Sequence, residues 1–186
     1  MRVLLTLVLL LNAGLAATAS QTKIISLPKE LSRIPSPDRK WTLILECPNS
    51  SCGEKKLWIE EASRHSRKLV KEYGRSLDIS WAPDSKRFFV NDNSGSTDAR
   101  CYIFEAPSLK ETDLAKLVLA GDPDSKQFLD AGHSYFRAQR WLNTQELIVI
   151  LTGHNDGSPP GAFTLRYRID LRGKVRKLSD RLEEQP

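Results

Sequence analysis

The stretch Ile79-Ser80-Trp81-Ala82-Pro83-Asp84-Ser85-Lys86-Arg87-Phe88-Phe89-Val90 decides how the rest of the chain reads. Pro83 pre-sets φ for the first central position of a turn, and the Asp84 carboxylate can bond back to the backbone two residues on. The pair therefore reverses the chain between two strands. Before it, Leu77, Ile79 and Trp81 alternate with polar residues, which predicts a strand with one buried face. After it, Arg87 to Asn91 is continuously apolar at its centre, the pattern of a strand covered on both faces. Asn93-Ser94-Gly95-Ser96 then reads as a hairpin loop, and Cys101-Tyr102-Ile103-Phe104 as the next strand.

Working outward, the same landmarks recur in the same order. Ser36-Pro37-Asp38-Arg39-Lys40 precedes the apolar run Trp41 to Leu45, and Leu142-Asn143-Thr144-Gln145-Glu146 precedes Leu147 to Ile150. A strand with an aromatic second position and an acid three residues on follows each time: Leu57-Trp58-Ile59-Glu60-Glu61, Cys101-Tyr102-Ile103-Phe104-Glu105 and Arg166-Tyr167-Arg168-Ile169-Asp170. Each copy closes on a basic residue and leucine, at Lys68-Leu69, Lys116-Leu117 and Lys177-Leu178. Trp58 and Tyr102 are 44 residues apart, and Tyr102 and Tyr167 are 65 apart, because the third copy carries insertions near Asp122 to Gly132 and at Gly153 to Gly161. A period near 45 residues with about four short strands per unit fits propeller blades. Helical character is expected only for Leu109 to Leu119 and for the tail after Ser179.

The segment from Gly74 to Ala106 resembles the repeat of TolB-type propellers, which is also similar to blades in the propeller domains of prolyl oligopeptidase-like enzymes. The likeness extends in part over Pro35 to Ala62. In the third copy Asn143 and Thr144 replace Pro and Asp, and the glycine usual after the Asp is Arg39 in the first copy and Ser85 in the second. The resemblance implies a fold and no chemistry, because such blades serve as scaffolds, docking surfaces and gates alike. The expected fold class is all-β: three four-stranded antiparallel blade-like units in an incomplete or dimer-completed propeller. An open arc would expose a sheet edge and the faces between blades. Either two copies pair into a six-bladed ring, or the insertions and tail cap the ends.

The N-terminus carries a different pattern. Arg2 precedes an apolar run from Val3 to Leu11, broken by Thr6, and Ala17-Thr18-Ala19 supplies small residues for cleavage. A signal peptide is predicted over 1–19. The run is shorter than the roughly 20 residues that span a bilayer. Residues 20–186 are expected to form a single β-propeller-like domain, soluble, with no membrane span, in a periplasm or outside the cell. In that oxidising setting Cys47 and Cys52, flanking Pro48-Asn49-Ser50-Ser51, are expected to form a disulfide. So small a ring would contribute about 2 kcal/mol. Cys101, inside an apolar strand, reads as a small buried hydrophobe.

Chemistry is sparse. The formal charge of +5 over 186 residues is mild and speaks to solubility, with no stripe that would predict nucleic-acid binding. There is no Gly-x-Ser-x-Gly elbow, and no cysteine sits beside a histidine in the sequence. No metal site and no cofactor are expected. Glu60, Glu61, Glu105 and Asp170 recur at equivalent strand ends, which argues for a structural role. The best surface candidate is the polar insertion of the third copy, with His133, His154, Asn155 and Asp156 as binding residues. The function expected is that of an exported, non-enzymatic binding or assembly module with a protein or envelope partner. The alternative is a periplasmic or secreted hydrolase using His133, His154 and nearby acids; Asp122, Asp124 and Asp130 are the acids that could meet the two histidines as metal ligands, a set whose spacing does not demand a metal.

Overall fold

The computed structural model describes residues 23–27, 33–47, 55–155 and 161–184. The leader expected over 1–19, Cys52 and Asp156 lie outside the described residues. A short strand, β1 (Ile25–Leu27), precedes a four-stranded antiparallel sheet of β2 (Arg33–Pro35), β3 (Trp41–Glu46), β4 (Lys55–Glu61) and β5 (Arg67–Tyr73). The second unit is β6 (Ser76–Trp81), β7 (Arg87–Asn93), β8 (Asp98–Glu105) and β9 (Glu111–Asp113). A helix α1 (Leu114–Gly121), a 3-10 turn (Pro123–Ser125) and a short helix α2 (Lys126–Leu129) lead to the third unit. That unit is β10 (His133–Trp141), β11 (Glu146–Asn155), β12 (Gly161–Asp170) and β13 (Lys174–Glu184).

The repeated landmarks fall on equivalent strands. Trp58, Tyr102 and Tyr167 all lie on the third strand of their units, in β4, β8 and β12. The turn landmarks all precede the second strand. Three expectations are corrected. The tail after Ser179 is strand, because residues 174–184 pair along almost the whole of β12. The third landmark is not equivalent in the second unit: Lys116-Leu117 lies in α1, inside the helix expected within Leu109 to Leu119, because β9 stops at Asp113, whose side chain caps the helix by accepting from the Ala115 N–H at 2.9 Å. The units are also less separate than expected. β1 adds to the free edge of β6, and Asp98 and Ala99 of β8 pair in parallel with Ser134 and Tyr135 of β10, joining the second and third units into one nine-stranded sheet.

The first two turns share one geometry, and the third closes one residue sooner with a similar side-chain bond. The N–H groups of Ser36, Ala82 and Leu142 donate to the carbonyls of Trp41, Arg87 and Glu146 at 2.8, 2.7 and 2.8 Å. The Oδ1 atoms of Asp38, Asp84 and Asn143 each accept from the N–H two residues on, at 3.1, 3.1 and 2.8 Å. Asn143 thus supplies in the shorter third turn the kind of bond that the two aspartates supply in the longer ones. Arg39 and Ser85 take φ of 61° and 63°, the left-handed region that a glycine would fill without strain. Arg39→Gly should stabilise the protein by about 0.5–1 kcal/mol, read as a higher urea midpoint. Ser85→Gly should bring no gain, because the Ser85 hydroxyl accepts the Asp38 N–H at 2.9 Å and so ties the second unit to the first.

Alternation along each strand sorts apolar side chains into two cores. Phe88 and Val90 of β7 point toward the first unit, with Leu43, Leu57, Ile79 and Trp81. Phe89 points the other way, toward Phe136, Leu147, Val149, Leu165 and Tyr167 of the third unit, where Leu114, Val118 and Leu129 of the helices complete the packing. Cys101 is fully buried there, as expected, and burial holds its thiol protonated. A repeating clip joins the units. Trp81 Nε1 donates to the Ile34 carbonyl of β2 at 3.3 Å, and Trp141 Nε1 donates to the Ser80 carbonyl of β6 at 3.2 Å. By the turn geometry above, Pro35, Trp81 and Trp141 occupy equivalent positions, as do Ile34 and Ser80.

Candidate functional site

The outward face of the third unit is where the chemistry concentrates. Strand pairing sets its side chains in rows. His133 of β10 opposes His154 of β11, and Tyr135 opposes Thr152, which opposes Thr164 of β12. Arg137 opposes Ile150, which opposes Arg166. After a bulge between Ala138 and Arg140, Arg140 opposes Ile148, which opposes Arg168 and, through it, Arg176 of β13. Period-two alternation explains the result: Leu147, Val149 and Leu151 face the core, so Ile148, Ile150 and Thr152 make a stripe down the other side. Ile148 is only 6% exposed, and arginines flank it in the adjacent rows.

Acids on this face are already engaged. Glu146 accepts from Arg168 Nη2 at 2.7 Å and from Asn143 Nδ2 at 2.7 Å, and these donors, Arg168 first, hold its carboxyl below the usual range. Asp170 is gripped by the Arg172 guanidinium and N–H, which bring its pKa down to about 2. Among the described residues, Arg137, Arg140, Arg166 and Arg176 have no carboxylate partner. Arg137 lies over the Tyr135 ring at 5.6 Å, and its Nε is buried without a hydrogen-bond partner.

At the far end of the face the His133 and His154 rings stack, with centroids 4.0 Å apart and planes 18° apart. His133 Nδ1 is 3.5 Å from the Tyr135 hydroxyl, which donates to the Ser96 carbonyl at 2.6 Å. Gly153 makes this approach possible, since a methyl there would overlap the His133 carbonyl and the Phe163 ring. The two histidines therefore meet. Two of the acids named with them are engaged elsewhere. Asp122 accepts from the Tyr167 hydroxyl at 2.9 Å and pairs with Lys177 at 3.0 Å, and Asp130 pairs with Lys126. The Asn155 backbone opposes Gly161 at the strand end.

The outward face of the first unit is built differently. Glu60, with its side chain 7% exposed, is held by Arg33 at 2.5 Å and Arg67 at 2.7 Å, and Lys56 pairs with Glu72 at 3.4 Å. Trp58 Nε1 donates to Glu46 at 2.6 Å beside Ile44 and Leu69. Its charges are neutralised in place. Glu60 and Asp170 thus have the structural role expected of the repeated strand ends, as buried ion-pair anchors. Arg67 first and then Arg33 hold the Glu60 carboxyl low. Because the carboxyls of Glu60, Glu146 and Asp170 are held below their unfolded values near 4, the unfolded chain takes up protons first on acidification. Their stabilisation is whole above about pH 5 and should fade as the pH falls toward 2. Urea midpoints across that window should drop, and Asp170→Asn should flatten the drop.

The sequence reading missed the arginine face. The signal lay in Arg166, Arg168, Arg176 and Arg181, which alternate with or follow Leu165, Tyr167 and Ile169. Spread over separate strands they look like a mild, distributed charge.

No protein-family model matches the chain, and no curated protein matches it. Among solved structures, the β-propeller domain of the Trilobed protease from Pyrococcus furiosus, reported to have an open velcro topology, aligns with a TM-score of 0.52 at 17% identity, over 80% of this chain and 43% of that one. The chain folds as a partial β-propeller. Its three blades are the three units described above, and the propeller-blade repeat read from the sequence holds at the level of the fold. An acylaminoacyl peptidase from Pyrococcus horikoshii aligns at 12% identity over 78% of this chain and 23% of that one, with a TM-score of 0.44. TolB from Acinetobacter baumannii aligns at 15% identity over 85% and 32%, with a TM-score of 0.38. The chain spans less than half the length of each of these proteins. Among the described residues no helix is long and apolar enough to cross a membrane.

Proposed function

We propose that the chain is an exported, non-enzymatic binding or assembly module that acts by protein–protein contact, with the outward face of its third blade as the contact surface. One observation carries this reading: arginines without carboxylate partners among the described residues flank an isoleucine stripe on the face where a longer propeller would place its next blade. Arginine and apolar side chains together are the composition of interface cores. The leader expected over 1–19 would deliver the chain to a periplasm or the exterior, where a Cys47–Cys52 bridge would persist.

A photo-reactive residue at Thr164, in the centre of the face, tests the contact in cells producing the full chain. A discrete cross-linked protein at Thr164 and none at the exposed Lys110, in the connection between β8 and β9 of the second blade, is the expected result. Equal labelling at both positions would overturn the reading. Terminal sequencing of the exported chain should begin at Ser20; a chain retained with Met1 would remove the export part. The stacked imidazoles favour one second reading, a hydrolase centred on His133 and His154. Ester or peptide hydrolysis abolished by His133→Ala would establish it in place of the first.

A further inference from the structure

We infer that the partner of the third blade's outward face is an acidic protein segment lying along β11, with carboxylates reaching the arginines on either side and apolar side chains resting on the half-buried Ile150. The inference rests on the binding reading above and adds the chemistry of the partner. Three features of the face point to it.

The first is charge. Arg137 and Arg140 stand on β10, and Arg166 and Arg176 stand on the other side of β11, on β12 and β13. The nearer rows are two strand spacings apart, about 10 Å, which suits an extended chain running between them. Guanidinium groups bind carboxylates bidentately, so unpaired arginines on both flanks select an anionic occupant with planar groups on alternate sides. The second feature is the stripe itself. Ile150 and Thr152, both half-buried, give a segment with alternating side chains something to bury its apolar positions against, which a bare polyanion does not use.

The third is that the chain's own other end does not fit. A second copy completing a ring would bring its first blade onto this face. That blade has already neutralised its charges internally, through Glu60 with Arg33 and Arg67 and through Lys56 with Glu72. It would also present Pro35 at the position where Trp81 and Trp141 donate across the two internal blade junctions. Proline has no indole N–H to offer. The junction would bury unpaired arginines against a neutral face and lack its clip.

Fluorescence anisotropy of a labelled decapeptide of alternating glutamate and valine, titrated with the mature protein, tests the inference. Arg166→Glu with Arg176→Glu should weaken binding about tenfold or more, because two attractive pairs become repulsive. Lys86→Glu with Lys110→Glu, the same charge change on exposed residues away from the face, should alter it less than about twofold. Circular dichroism melts establish that both double variants fold. Peptide binding unchanged by the arginine reversals would overturn the assignment of the face while leaving the binding module intact. Tighter binding of duplex DNA or of phosphatidylglycerol vesicles than of the peptide would overturn the protein partner in favour of a general polyanion or membrane surface. No peptide binding at about millimolar protein would overturn the acidic-segment chemistry. A doubled mass by light scattering, lost in the arginine reversals, would overturn it in favour of the second copy.

Discussion

Trp141→Ala should destabilise the protein by about 3–5 kcal/mol, the usual range for deleting a buried indole. Trp141 is 2% exposed and ends β10, the inner strand of the third blade. Its ring stacks on Phe89 of the second blade at 6.1 Å between centroids, and its Nε1 donates to the Ser80 carbonyl. The substitution removes the filling of the blade junction and the donor together. A domain of this size should lose roughly 10 °C or more in Tm. Trp141→Phe separates the two effects: the ring stays, the donor goes, and the loss should shrink to about 1–2 kcal/mol. The damage should also be local. Repeat folds distribute stability over junctions between neighbours. Hydrogen exchange should therefore accelerate in β10 to β13 and stay nearly unchanged in β2 to β5. Uniform acceleration across all strands would show instead that the blades unfold as one unit.

Asn91→Ala should cost about 2–5 kcal/mol although it removes only a small polar side chain. Asn91 is 2% exposed on β7, in the same blade junction. Its Nδ2 donates to the Ala138 carbonyl at 3.0 Å, and its Oδ1 accepts the Ala138 N–H at 2.8 Å. The side-chain amide thus pairs with the backbone of β10 as a neighbouring strand would, beside the bulge between Ala138 and Arg140. Alanine leaves a buried donor and a buried acceptor without partners, and each carries a desolvation penalty of about 1–3 kcal/mol. Asn91→Asp is the sharper variant. It keeps the acceptor for the Ala138 N–H but sets a carboxylate oxygen against the Ala138 carbonyl. Its deficit at neutral pH should exceed that of alanine and should recover in part on acidification, as the protonated acid regains a donor. Chemical denaturation at pH 7 and near pH 5 reads both. A loss under about 1 kcal/mol for Asn91→Ala would mean that water enters the junction and satisfies Ala138 in its place.

These two residues show how far a linear reading reaches. Trp141 is legible as a strand-end aromatic from its place before the third turn. Its role as a clip is not, because the acceptor, Ser80, lies 61 residues earlier. Asn91 reads as the polar end of an apolar strand, and nothing local announces that it substitutes for a missing strand. The candidate face divides in the same way. His133 and His154 could be named together because both border insertions of one copy, and cross-strand pairing brings them to a 4.0 Å stack. The arginine rows were invisible as a group, since Arg137 and Arg166 become neighbours only through the register of β10, β11 and β12.

The order of local events along the chain was determined by the sequence alone. Pro-Asp and Asn turns, period-two alternation and the recurring aromatic strand depend on interactions between residues a few positions apart, so they place strands, reversals and the threefold repeat without knowledge of the rest. Only the tertiary structure decided that β1 adds to β6, that the tail becomes the outer strand of the third blade, and that the two ends of the arc carry opposite designs, one neutralised and one arginine-rich. Those outcomes depend on register between distant strands, and register is set by which faces find a buried partner, a property that no single strand possesses before the sheets assemble.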